Sequence, residues 1–440
     1  MLPKVRTLAL LVLIGYGLAG CFVIENTFTG LAPGPWRGIL ILDDLPPDAK
    51  LQDPFNLKLE TVRSGELPFN FEVIYQEDST FYIEIINGEE RIKVEDITMG
   101  LDRRMAKDTL TINFPVFESY IRGVYAVDVI EGEWVVTNRG EDYRIPFVAK
   151  FGFDYRFTPL KKEPVMDISG RWEVTFEAVS EEDTFKAIGE FYQDGNKLTG
   201  TFLTETGDYR FLDGTIQENK FYLSTFDGSH AFLFEGKINE DGTLLGSFQS
   251  GKHYTAVWTG VKNPDFKLRD PDELTYLKEG YERFDFTFAT PDGDSISLSD
   301  PAYEGKVKLV QIMGTWCPNC RDETQFLKRY LEENKTDDLS VIALAFERHQ
   351  DAEKNKRAIS KYQKLMGIKY PMLYAGNYQK KAAAQALPML NQIVSYPTLI
   401  FIDKKNQVRR IHTGFNGPAT SEYNNFITSF DETVKTLIAE

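Results

Sequence analysis

Residues 307–333 read VKLVQIMGTWCPNCRDETQFLKRYLEE, and two of the three cysteines in the chain stand here, three residues apart. VKLVQIM is a continuous apolar run, as expected of a central parallel strand buried on both faces. From Pro318 onward the pattern becomes helical, with Phe326, Leu327, Tyr330 and Leu331 on one face. Cys317 therefore follows a buried strand and opens a helix. Its sulfur faces unpaired N–H groups and the positive end of the helix dipole, which favour thiolate. Cys320 lies one turn on, within reach of the same sulfur.

That spacing suits thiol–disulfide exchange. Cys317 attacks a foreign disulfide, and Cys320 then displaces the captured sulfur. Other uses of a Cys pair fit less well. A zinc site needs two more ligands, and the four histidines are scattered. A haem tether needs His after the second Cys, where Arg321 stands. A loop this short constrains the unfolded chain too little to be a useful staple. No metal or cofactor is expected.

Outward from the pair, sheet and helix patterns alternate. FDFTFATPDGDSISLSD reads as an entry hairpin, LSVIALAFE (339–347) as a strand and DAEKNKRAISKYQKLMG (351–367) as a helix ended by Gly367. TLIFIDK and QVRRIHTG read as a hairpin, and SEYNNFITSFDETVKTLI as a closing helix. This is an α/β domain. Together with YEGKVKLVQIMGTWCPNC, Glu323 and SYPTLIFIDKKNQVRRIHTG, it resembles the TlpA-like branch of the thioredoxin superfamily, which are exported or membrane-tethered thiol–disulfide oxidoreductases, and implies a protein-disulfide reductase. The resemblance implies Cys317 as nucleophile, Cys320 as resolving thiol, Trp316 as a shielding aromatic and Pro397 as a cis-proline opposite the pair. Tyr396 would then pair through its backbone with an extended substrate strand. Glu323, at i+3 from Cys320, would modulate the thiols and relay a proton. Gln311 stands where many thioredoxins have an acid, which shifts that burden to Glu323.

Upstream, from Gly34 to about Lys262, short apolar/polar alternations separated by NG, DG and GD turns read as strand after strand. Gly34-Pro35-Trp36 and Gly170-Arg171-Trp172 open two blocks of about eight strands each. Acid-Gly turns at Glu131-Gly132 and Asp241-Gly242 are expected before each closing hairpin. These tandem all-β domains are antiparallel meander barrels or sandwiches, and Gly-x-Trp resembles the calycin barrels. His230 and His253 read as surface or packing residues. The polar stretch around NPDFKLRDPDELTYLKEG suits a linker running into a short helix.

The first twenty residues read as a targeting segment: Lys4 and Arg6, then an apolar stretch from Leu8 to Gly20. Leu18-Ala19-Gly20-Cys21 resembles a bacterial lipobox, which implies acylation of Cys21 and a lipid-bilayer anchor. The expected organisation is a multidomain chain: signal peptide 1–20, tether 21–33, β-rich domains 34–165 and 166–262, linker 263–280 and thioredoxin-like domain 281–440. The net charge of −16 argues against nucleic acid. The reading is a lipid-anchored, periplasm-facing envelope reductase, with the outer membrane favoured over the inner. Its partners would be disulfide-containing client proteins and a membrane thiol-electron donor. The alternatives are a thiol oxidase of the same fold, or an adaptor lipoprotein binding a ligand or partner through its β domains.

Overall fold

The computed structural model describes residues 30–43, 62–104, 106–126, 128–140, 143–178 and 184–440. The first twenty residues, read as a targeting segment, and Cys21 lie outside them. Among the described residues no helix is long and apolar enough to cross a membrane.

Three sheets follow one another along the chain. The first is a run of nine antiparallel strands between Gly34 and Phe151. Its two edge strands, Glu90–Val94 and Ile97–Asp102, are neighbours in sequence, yet they do not pair with each other, so the sheet is a half-barrel. Trp36 is fully buried and stacks on Phe71 at 5.9 Å. Gly38 faces the rings of Phe69 and Phe147, where a Cβ would come within 2.8 Å of each, so the first strand can approach closely only without a side chain. Glu131-Gly132 is not a turn: it lies inside the strand Val129–Val136, and Gly132 pairs with Gly123 across the ladder.

The second sheet closes. Thr184–Asp194 pairs with Gly170–Ala178 on one side and with Lys197–Thr204 on the other, completing a barrel of eight strands with the two-residue strand Gly207–Asp208 as an appendage. A barrel of about eight strands is just wide enough for side chains to fill. Aromatic rings fill this one: Phe202 lies 4.6 Å from Phe234, 5.4 Å from Phe176 and 5.5 Å from Trp258. Trp172 is buried, its indole N–H donating to the carbonyl of Ile168 at 2.8 Å. The barrel interior is therefore a packed core.

The open half-barrel packs against the barrel. Phe226, at the end of a barrel strand, meets Phe69 at 4.5 Å, Trp134 at 5.2 Å and Phe114 at 5.7 Å. Buried Arg156 binds Ser224, Asn87 and the carbonyl of Ile86, tying the two blocks through hydrogen bonds that leave few of its donors unpaired.

The third sheet has seven strands. The parallel trio Val307–Met313, Leu339–Glu347 and Met372–Asn377 is flanked by the antiparallel hairpin Thr398–Ile402/Val408–Thr413 on one side and the entry hairpin Thr287–Ala289/Ser295–Ser297 on the other. All seven residues of Val307–Met313 are buried, as an apolar run covered by helices on both faces must be. Residues 263–280 form no helix. They are strapped over this domain: Thr413 N–H donates to Pro271, Leu277 bridges Leu390, and Asp272 holds Arg410 and His412 at 2.7 Å each. Proline punctuation and side chains engaged across the strap leave no local helix to form.

Candidate active site

The helix Pro318–Glu333 starts directly after the central strand, with Cys317 as its N-cap and Pro318 at the first helical position. The backbone N–H of Cys320 donates to Sγ of Cys317 at 3.2 Å. On its other side, Sγ of Cys317 donates to the carbonyl of Tyr396 at 3.4 Å. The Tyr396–Pro397 peptide is cis. Both sulfurs are free thiols; Cys320 is fully buried, and Cys317 is only 6% exposed. Asp208, Tyr209 and His230 of the barrel stand in front of Cys317. Burial, and then the neighbouring Cys317, push the Cys320 thiol well up from its ordinary range.

Trp316 packs beside the pair. Its indole donates to the carbonyl of Phe346 at 2.9 Å, its ring meets Tyr396 edge-on at 5.7 Å, and the Arg348 guanidinium sits 4.0 Å over it.

Glu323 is fully buried, although its place in an acidic helix reads most simply as solvated. Gln311 Nε2 donates to its Oε2 at 2.8 Å, and Oε1 has no protein partner. Burial pushes its pKa up to about 8, and the Gln311 bond offsets only part of that. The helix runs unbroken through Thr324-Gln325, and Thr324 Oγ1 donates to Gln311 at 3.2 Å.

A second buried carboxyl escapes the sequence reading. Glu347 ends the strand Leu339–Glu347 and accepts from the Thr315 N–H at 2.9 Å and the Thr315 hydroxyl at 2.8 Å. Burial pushes it up to about 7. The only signal was an acid closing an otherwise apolar run. The β domains contribute too: Arg139, Asp208 and His230 line the space in front of Cys317. Arg210, buried, joins Glu90, Asp227 and Asp322, a cluster assembled from residues far apart in sequence. Among the described residues no group of three or more His, Cys, Asp or Glu is arranged to hold a metal ion.

Comparison with known proteins falls on this domain. Residues 260–427 match the Redoxin family model. The domain is that of a thioredoxin-family thiol–disulfide oxidoreductase. The Thioredoxin-like protein YneN of Bacillus subtilis (strain 168) is 29% identical to the chain over 138 residues, 31% of this chain and 73% of that protein. The Thiol-disulfide oxidoreductase ResA of the same organism is 23% identical over 138 residues, 31% and 69% respectively. Among solved structures, a thiol:disulfide interchange protein of the thioredoxin family from Chlorobium tepidum TLS overlaps 37% of this chain and 98% of its own, at 21% identity and a TM-score of 0.28. In this oxidoreductase the domain forms the C-terminal part of a longer all-β and α/β assembly.

Proposed function

We propose that the protein reduces disulfides of client proteins in a bacterial envelope, with Cys317 attacking and Cys320 resolving. The observation that carries this is the helix-capping geometry of Cys317: one N–H aimed at its sulfur at 3.2 Å, with Cys320 held as a thiol one turn behind.

In the first step the Cys317 sulfur attacks one client sulfur, and the other departs as a thiolate that takes up a proton. Cys320 then gives its proton to the Glu323 carboxylate and attacks Cys317, expelling the second client thiol. The client gains two electrons and the pair becomes a Cys317–Cys320 disulfide, which a membrane dithiol donor reduces again. Glu323 suits the relay because its raised pKa lets it both take and give a proton near neutral pH. Pro397 and Tyr396 would present the client strand, and Trp316 would shield the mixed disulfide. Burial keeps Cys320 protonated until Glu323 takes its proton, so the second step waits on the carboxylate. An acylated Cys21 would anchor the chain to the bilayer, the outer membrane favoured over the inner, with its catalytic part facing the periplasm.

The test is insulin reduction coupled to a dithiol. Cys317→Ser should abolish turnover, and Cys320→Ser should accumulate a mixed disulfide with insulin. Full turnover by Cys317→Ser would overturn the assignment.

A further inference from the structure

The face on which a client would dock is already covered from within the chain. The barrel segment Thr204–Arg210 crosses it. Ser395, next to Tyr396, donates through Oγ to the carbonyl of Thr206 at 2.7 Å. Asn319, between the two cysteines, donates to the carbonyl of Asp208 at 3.3 Å, and the Gly417 N–H donates to the Asp208 carboxylate. The fit is close: a Cβ on Gly207, whose φ is +131°, would come within 2.2 Å of Asn319, and one on Gly414 within about 3.1 Å of the Thr206 backbone. Extended substrates pair through backbone groups on such a face, and here a loop of the barrel lies against it, held by the side chains of Ser395 and Asn319.

Behind the segment is a latch. Arg210 reaches Glu90 of the half-barrel at 2.5 Å, Asp227 of the barrel at 3.2 Å and Asp322 of the active-site helix, so one buried cation ties all three parts together. Other polar contacts join the parts nearby, Ser421 with Glu190 at 2.6 Å and His349 with Glu118 at 2.9 Å, beside Val116 of the half-barrel packed on the redox-domain core. Interfaces of this kind between domains of one chain permit relative motion, unlike a continuous apolar core. What remains in front of the sulfur is a partly open pocket of about 170 Å³, lined by Arg139 of the half-barrel, Asp208 and His230 of the barrel, and Trp316, Cys317 and Arg348 of the redox domain. Such a pocket holds a small disulfide, whereas an extended strand would meet the Thr204–Arg210 segment lying across the same face.

We propose that the Thr204–Arg210 segment is an intramolecular cap on the redox site. In the capped form Cys317 meets only low-molecular-weight disulfides, and protein disulfides reach it when the Arg210 latch releases. The inference rests on Cys317 being the attacking sulfur.

Two variants of the full chain test it: Arg210→Met, which removes the latch, and Gly207→Ala, which wedges the cap from Asn319 without leaving charges unpaired. Reduction of 2-hydroxyethyl disulfide and of insulin is compared, alongside alkylation of Cys317 by N-ethylmaleimide and by a polymer-tailed maleimide. If the open form is a minor population of about a tenth or less, both variants should raise insulin reduction about tenfold, with the small disulfide changed by less than about twofold. The polymer-tailed reagent should lag N-ethylmaleimide in the wild type and catch up in the variants. Insulin and small-disulfide rates that keep their wild-type ratio in both variants, or equal alkylation by the two reagents in the wild type, would overturn the cap. A protein that reduces neither disulfide would refute the proposed function, while the alkylation pair would still decide whether the site is covered.

Discussion

Gln311 and Glu323 share a 2.8 Å hydrogen bond behind the cysteine pair, and Gln311 also donates to the Cys320 carbonyl at 3.4 Å. The amide thereby positions the carboxyl proposed to serve Cys320, taking a supporting role where an acid is the common alternative. Removing that carboxyl should strike the second half of the reaction. Glu323→Gln is expected to slow decay of the mixed disulfide by ~10²-fold while leaving its formation nearly unchanged. In the wild type that decay should quicken with pH up to about 8, as the carboxyl ionises, and the variant should lose this inflection. Stopped-flow single turnovers across pH separate the two steps.

The same carboxyl should tax stability in a defined pH window. Its folded pKa of about 8 lies above its ordinary 4.5, so between those values the folded chain keeps a proton that the unfolded chain has released. Stability therefore falls as pH rises from about 4.5 to about 8 and is flat on either side. Glu347 acts with the same sign up to about 7. Thermal unfolding of Glu323→Gln against wild type should show the variant gaining relative stability from pH 5 to pH 8 (about 4 °C or more per kcal/mol for a small domain, less for a chain this long).

Glu347 should matter for the loop that carries Cys317. Glu347→Ala leaves the buried N–H and hydroxyl of Thr315 without their acceptor, each worth about 1–3 kcal/mol when orphaned. Denaturant unfolding should register that loss. The rate of Cys317 attack should fall as well, since Thr315 is two residues from the sulfur.

The barrel core should behave as packed protein. Phe202→Ala removes a fully buried ring in contact with several others and should cost about 3–5 kcal/mol. A much smaller loss, read from the shift in denaturant midpoint, would mean that the interior is loosely filled.

Much of the redox domain was legible because its signals are local. VKLVQIM could only be a buried strand, Gly367 stops its helix in the left-handed conformation at φ 62°, and Asp351 caps that helix through two N–H groups. Met372–Asn377 and Lys380–Ala386 went unread, being short elements with little periodicity. Glu323 could have been read as buried, since it shares a helix face with Cys320 and Leu327, both fully buried. Barrel closure was beyond reach: an alternating strand looks the same whether its sheet closes or stays open, and the pairing Ala187↔Thr204 that closes it is a matter of register. The Arg210 cluster was likewise hidden, since Arg210 meets Glu90 and Asp322 across more than a hundred residues of sequence.

The most direct test of the central claim is the redox equilibrium of the Cys317–Cys320 pair, measured by thiol trapping in graded dithiol/disulfide buffers. A reversible two-electron couple lying well below about −120 mV is the predicted result, as befits a reductase. A couple at or above that value would make the protein an oxidase, and a pair that never forms its disulfide would contradict the redox account itself.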